Sequence, residues 1–228
     1  LPEYAHNETG AKMLATTFLF LYGIPFIYQG QEIGMTNCRR GDISEYDGIS
    51  TKDQYREALQ AGCTREQALE CCYENSRDNA RTPMQWSSEK NAGFTSGTLW
   101  LAVNPDYKKI NVAEQERRKD SVLSYYKKLI ALKKSPQFKE VLTYGKFIPE
   151  YEDSDSIFAY HRISEESGQN ILVAANYGES TCEIPLECSS ARVLLSNIGK
   201  EKEIENSIPE KGKISLESCQ AAVLLLEK

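Results

Sequence analysis

Long apolar runs are missing from this chain of 228 residues. The longest, at 18–21, is cut by Tyr22-Gly23 and Pro25, far short of the ~20 residues a membrane-crossing helix needs, so no membrane partner is expected. Histidine is scarce, at two residues (His6 and His161), and the seven cysteines are an odd number without a Cys-x-x-Cys pair. That arithmetic fits neither a zinc site nor a disulfide framework, and the adjacent Cys71 and Cys72 would strain a disulfide badly. No metal and no cofactor is expected; free thiols in a reducing cytoplasm fit best. An excess of positive charge is also lacking, since 27 Lys and Arg face 33 Asp and Glu, which argues against nucleic acid as a partner. The opening Leu1-Pro2-Glu3-Tyr4-Ala5-His6 has no initiator Met, basic segment or apolar core of a secretory leader, and reads as a chain cut from something larger.

What is present is enough apolar material for a real core, 40% of residues against 26% charged. Over 9–21, Met13, Leu14, Thr17, Phe18 and Leu21 recur at helical spacing until Gly23 and Pro25 stop the pattern. Ile24-Pro25-Phe26-Ile27-Tyr28 then reads as a short strand buried on both faces, as in a parallel sheet. A long polar excursion follows, with helices expected at 51–61 and 64–73, the second opened by Thr64 as N-cap with Gln67 three places on. Such excursions are usually functional. The Gly- and Pro-rich stretches at 81–86 and 91–97 cannot be regular elements, but Trp86, Phe94 and Trp100 favour ordered loop over disorder. Asp120 or Ser121 caps a further helix that places Val122, Tyr126, Leu129 and Ile130 on one side and ends in lysines.

Beyond Pro136 the period changes from 3.6 to 2. Strands are expected at 157–163, 170–177, 181–186, 191–198, 213–216 and 221–226, the pattern of an antiparallel sandwich. The mixed Lys and Glu stretch at 201–213 reads as a solvated hairpin. A domain boundary is placed at 135–139, giving a first domain, 1–135, and a second, 136–228. The order helix, buried strand, decorated loop, outer helix is that of one and a half units of a (β/α) barrel, whose working face lies at the carboxyl ends of its strands. One unit cannot close a barrel. The fold class is therefore α/β plus all-β: the C-terminal end of a (β/α)8 TIM barrel followed by an antiparallel β-sandwich domain.

Three blocks identify which barrel. They are Gly23-Ile24-Pro25-Phe26-Ile27-Tyr28-Gln29-Gly30-Gln31-Glu32-Ile33-Gly34-Met35-Thr36-Asn37, then Ser76-Arg77-Asp78-Asn79-Ala80-Arg81-Thr82-Pro83-Met84-Gln85-Trp86, then Asn91-Ala92-Gly93-Phe94-Thr95 with Val103-Asn104-Pro105-Asp106-Tyr107. In this order, over essentially the whole chain, they resemble the α-glucosidases of the α-amylase superfamily, glycoside hydrolase family thirteen, and within it the oligo-1,6-glucosidase and dextran glucosidase type. The resemblance implies retaining hydrolysis, in which one carboxylate forms a covalent glycosyl intermediate, a second acts as acid then base, and a third Asp grips sugar hydroxyls. It places all three upstream of Leu1; the family's Asn-His-Asp motif, which holds the last of them, does not occur here. No catalytic residue is expected in this chain, and the chain alone should be inactive, exposed where the missing N-terminal barrel portion would pack, and prone to association.

Of the residues present, the resemblance makes Arg77 the leading substrate-binding candidate, its guanidinium donating to sugar hydroxyls on the aglycone side; the plain alternative is pairing with Asp78 or Glu74. Arg81 is a second candidate, with loop carbonyls as its alternative partners. Asp47 lies where the family shapes the pocket mouth, and Tyr46 beside it would stack on a sugar. Glu32 is read as an anchor for the loop amides that follow, with Gln29 and Tyr28 in the same structural role. Trp86, Phe94 and Trp100 are read as pinning their loop rather than as a stacking platform, and His161 as a packed or surface strand residue.

The whole then reads as the C-terminal part of a retaining α-glucosidase releasing glucose from short oligosaccharides, 1,6-linked as first guess. Alternatives are a trehalose-6-phosphate hydrolase, a transglucosylase or a sucrose isomerase on the same fold. In another class stands a non-catalytic glycan-binding β-sandwich module, which the few aromatics of the second half (Tyr151, Phe158, Tyr160, Tyr177) disfavour.

Overall fold

The computed structural model describes residues 7–199, 201, 204, 208 and 212–227. By contact it divides into two compact units: the chain up to Ile27 together with everything from Lys119 onward, and the intervening Tyr28–Arg118.

The first unit is built on a five-stranded antiparallel sheet in the order β1-β2-β3-β7-β5, comprising β1 (Lys146–Glu150), β2 (Ile157–Ile163), β3 (Asn170–Asn176), β5 (Ser190–Ser196) and β7 (Ala221–Glu227). A second, two-stranded antiparallel sheet pairs β4 (Cys182–Pro185) with β6 (Lys213–Leu216). The two central strands, Asn-Ile-Leu-Val-Ala-Ala-Asn and Ala-Ala-Val-Leu-Leu-Leu-Glu, do not alternate; nearly every residue is buried, because both faces of the large sheet are covered. One face carries Leu172, Ala174, Val193 and Leu224 against Ile184, Ile214 and Leu216 of the small sheet. The opposite face carries Tyr160, Ile171, Val173 and Val223 against three helices: α1 (Glu8–Leu19), α5 (Val122–Lys134) and α6 (Lys139–Tyr144). The outcome is helices, sheet, small sheet, in three layers.

Six strands fall where period-2 spacing places them, and Ser121 caps α5 by accepting from the Ser124 amide. Strand β1 is missed by that reading because all five of its residues are exposed on the sheet edge and carry no alternation. Helix α1 is buried on a wider arc than its sequence face implies: Ala15, Thr16 and Leu19 are buried alongside Met13 and Thr17, while Leu14 and Phe18 are only partly so. Most of the stretch read as a solvated hairpin lies outside the described residues; of those described, Glu201, Ile204 and Ile208 are helical, and the two isoleucines are buried.

One expectation fails outright. Residues 24–28 form no strand, and Ile24 and Phe26 are 84% and 87% exposed rather than buried on two faces. A strand exists only through the ladder it makes with a neighbour, and among the described residues nothing pairs with this run.

Polar groups are threaded through the first core. Thr16 Oγ1 accepts from or donates to Tyr125 Oη at 2.7 Å, Tyr160 Oη donates to the Thr17 carbonyl at 2.8 Å, and Lys133 Nζ donates to the Leu19 carbonyl at 2.7 Å. The largest such group is Arg162, which has no accessible surface. Its Nη1 donates to the carbonyls of Phe20 (2.7 Å) and Leu142 (3.1 Å), and its Nη2 to those of Gly145 (2.8 Å) and Thr143 (3.3 Å). Burial depresses the guanidinium pKa, yet every acceptor belongs to a helix carboxyl end, where unpaired carbonyls and the helix dipole favour a cation. Arg162→Met removes the donors and leaves buried carbonyls orphaned, so it should destabilise the protein by about 3 kcal/mol or more. The midpoint of urea unfolding checks this; a change within a few tenths of a kcal/mol would mean the carbonyls find other partners.

Candidate functional site

In the second unit, two helices, α2 (Ile49–Gln60) and α3 (Arg65–Asn75), pack side by side, and short 3-10 turns with the brief helix α4 (Val112–Glu116) fill most of the rest. Thr64 and Gln67 form the expected reciprocal capping box on α3. The first turn, Gln31–Ile33, is bounded by Gly30 and Gly34, both left-handed at φ 88° and 69°; at Gly30 another residue would strain the backbone and have to displace the Met35 side chain. Gln31 Oε1 accepts from the Tyr28 amide at 3.1 Å and Tyr28 Oη donates to the Ala80 carbonyl at 3.1 Å, so Tyr28 holds the loop as read, and its partner there is Gln31, which the sequence reading did not single out, rather than Gln29. Tyr28, Gln29, Gly30 and Gln31 then line one side of a cleft of about 410 Å³, with Glu74, Ser76, Asn79 and Thr82 on the other.

The block 76–86 is fixed from below. Ser76 caps the 3-10 helix Arg77–Arg81 by accepting from the Asp78 amide at 3.1 Å, and shares a 2.9 Å hydrogen bond with Thr51 Oγ1. Asn79 accepts from the Cys38 amide at 3.2 Å and donates to the Tyr73 carbonyl at 2.8 Å. Gln85, wholly buried, donates to Asp106 Oδ1 at 2.9 Å and the Ile110 carbonyl at 2.5 Å, and Thr36 Oγ1 donates to Asp106 Oδ2 at 2.9 Å. Burial pushes the Asp106 carboxyl above the usual carboxylate range despite these two donors.

Asp78 is the residue sequence reasoning passed over. Its side chain is 0% exposed; Oδ2 accepts from the backbone amides of Asp47 (2.8 Å) and Gly48 (3.0 Å), and Oδ1 from Arg81 at 3.3 Å. Burial alone would raise its pKa, but the two amides with Arg40 and Arg81 hold it below the ordinary value. The signal was available in the Arg-Asp-x-x-Arg spacing, which puts an acid one turn before a base.

The three candidate residues fare differently. Arg77 is exposed and, among the described residues, makes no ion pair or hydrogen bond, so the pairing with Asp78 or Glu74 is not formed. Arg81 leans on Asp78 rather than on loop carbonyls. Asp47 is exposed and its Oδ2 accepts from Trp100 Nε1 at 2.9 Å. Thus Asp78 ties Asp47 and Arg81 to the segment that carries Arg77.

Other expectations are corrected. Tyr46 is 1% exposed under the Arg40 guanidinium, 4.8 Å from its ring centroid, so no sugar can stack on it. Glu32 bonds no loop amide; its Oε2 is buried without a partner among the described residues. Trp86, Phe94 and Trp100 do not pin their loop by burial, for each is at least half exposed, Trp100 at 67%. His161 is half-buried in β2. Cys72 is buried and Cys71 exposed, and among the described residues no cysteine is bridged.

The family model described as "Alpha amylase, catalytic domain" matches residues 3–145, and the chain belongs to that family. It is 42% identical over 220 residues to an oligo-1,6-glucosidase of Bacillus cereus, spanning 95% of this chain and 38% of that protein. Among solved structures it is similar to a trehalose-6-phosphate hydrolase of Bacillus licheniformis (TM-score 0.83, 36% identity, 97% of this chain and 39% of that one). An isomaltulose synthase of Protaminobacter rubrum is as similar in fold (TM-score 0.83, 35% identity, 97% and 38%). The chain spans somewhat over a third of the length of these relatives.

Because the folded pKa of Asp78 lies below its unfolded value, its contribution to stability is present above the ordinary carboxylate range and is lost as pH falls through the folded value. Asp78→Asn should therefore loosen the 47–48 turn by about 1.5–3 kcal/mol at neutral pH and abolish the acid-induced part of that loosening. Amide exchange at Asp47 and Gly48 against pH reads both effects; protection unchanged in the variant would show that the turn holds itself.

Proposed function

We propose that the chain is the C-terminal part of a retaining α-glucosidase of the α-amylase family that removes α-1,6-linked glucose from short oligosaccharides. The observation that carries the reading is Arg77: its neighbours Ser76, Asp78 and Asn79 turn inward to fix the backbone, leaving this guanidinium exposed and uncommitted. A planar fork of donors held on a rigid base suits sugar hydroxyls. Likeness to an oligo-1,6-glucosidase over 95% of the chain supports the linkage. In this reading 1–135 closes a (β/α)8 barrel and 136–228 is a terminal β-sandwich domain, while the acid, nucleophile and third aspartate belong to an N-terminal barrel portion. The exposed run at 24–28 supports such a partner, since its apolar side chains suit a strand between neighbours. The partners are that portion and an oligosaccharide, without cofactor, metal, nucleic acid or membrane; among the described residues no helix is long and apolar enough to cross a bilayer. Unbridged cysteines support the cytoplasm as the compartment. Trehalose-6-phosphate hydrolysis or sucrose isomerisation is the second reading, favoured by the equal structural likeness to enzymes so named.

This polypeptide alone should not cleave p-nitrophenyl α-glucoside, and co-expression with the upstream barrel portion should restore cleavage. Activity of the chain by itself would place the catalytic groups here and overturn the reading. In the intact enzyme, Arg77→Ala should lower kcat/KM for isomaltose about tenfold, roughly one lost charged hydrogen bond, and leave the aryl glucoside nearly unaffected. Equal losses on both substrates would mean that Arg77 only supports the fold.

A further inference from the structure

The five-stranded sheet is wider than the two-stranded sheet that covers one of its faces. Register puts Ile148, His161, Leu172 and Leu224 in one row across that face, Ile163, Asn170 and Leu226 in the next, and Glu150 with Ala159 in a third. Toward β7 these rows are core, with Leu172, Leu224 and Leu226 buried against the small sheet. Toward β1 the cover stops, and Glu150, His161 and Asn170 are the polar members of these rows. Those three join each other: His161 Nδ1 lies 2.7 Å from Asn170 Oδ1, and Nε2 lies 3.0 Å from Glu150 Oε1. The Asn170 amide nitrogen and the second Glu150 oxygen make no hydrogen bond among the described residues.

Beside this triad lies an open cleft of about 670 Å³, floored by Ile148, Leu172 and Leu226 and walled across from the triad by Leu186 and Glu187. Tyr151 stands at its margin, held at φ 58°, a left-handed conformation that costs a non-glycine residue energy and is found preferentially at binding sites. None of these residues takes part in the site proposed above.

The geometry points to a second saccharide-binding site in this cleft. Two carboxylates, Glu150 and Glu187, repel anions. An apolar floor, an aromatic ring at the margin and free donor and acceptor atoms on one wall fit a neutral polyhydroxylated ring, its C–H face down and its hydroxyls against the triad. The volume lies within the range of small-molecule sites and accommodates two or three sugar units. A short neutral α-glucan is the occupant; from the proposed function it borrows only the class of sugar.

The test is calorimetric titration of the intact enzyme, its active site saturated with an imino-sugar inhibitor, with isomaltotriose and with maltotriose. A second, millimolar binding event is expected, weakened about tenfold or more in Tyr151→Gly and in Glu150→Gln, the loss of one or two contacts. Glycine adopts the left-handed backbone at 151 without strain, so Tyr151→Gly removes the ring and not the fold. Aryl-glucoside hydrolysis by the same preparations reports the catalytic site separately and should be unchanged. No second event, or one insensitive to both variants, overturns the proposal. So does a concentration-dependent increase in mass by light scattering without saccharide heat, which would make the cleft a contact between copies.

Discussion

The arrangement of the first unit rests on what becomes of the carboxyl ends of α1 and α6. Both leave carbonyls buried at the core, those of Phe20, Leu142 and Gly145, where an orphaned acceptor is costly. Arg162, sent from β2 through the sheet face, reaches Phe20 beyond α1 and Leu142, Thr143 and Gly145 at the end of α6 with one planar group. Lys133 from α5 closes the Leu19 carbonyl of α1 as well, and its amine titrates below the usual lysine value because it is buried and lies near Arg162. Two cations with no carboxylate between them are tolerable only because they face the negative ends of helix dipoles. This fixes the register of helices on sheet more sharply than the apolar contacts around it, which would accept small slides.

A comparable device operates in the second unit with the opposite sign. Asp78 is a buried anion whose partners are two backbone amides and an arginine, and the amides belong to a turn thirty positions back in the chain. Gly48 is suited to that turn, since a Cβ there would approach the Thr51 hydroxyl and the Asp78 carboxylate at 3.1 and 3.3 Å. Burying Asp78 fixes the backbone segment that carries Arg77, whose own side chain stands exposed. A solvent-facing guanidinium needs such a base, because a loop held only by its own side chains would spend binding energy on being ordered.

Much of this was legible in the residues, and the failures share a cause. Short apolar or alternating runs separated by turn residues located β2 to β7 within a residue or two, and the Thr64 capping box was readable at its spacing, because both are local signals. Strand β1 was not readable: an edge strand exposed on both faces has no pattern to show. Tyr46 and Glu32 were misjudged because a sequence shows residue type but not which way a loop folds over it; the Arg40 guanidinium lies over the buried Tyr46 ring. Asp78 was hidden by its arginine neighbours, which drew attention as the longer groups.

The apolar run at 24–28 joins fold to function. Its composition reads as a strand buried on both faces, while Ile24 and Phe26 stand almost fully in water. Each such side chain gains about 1.5–3 kcal/mol on moving into a packed interior, so Ile24 and Phe26 together represent a large fraction of the net stability of a small domain. Exposed apolar side chains this close together mark a surface that something covers. Flanking strands supply both ladder hydrogen bonds and apolar contact, whereas an unrelated helix supplies only the second. In the proposed reading, the cover for 24–28 comes from strands of the N-terminal portion.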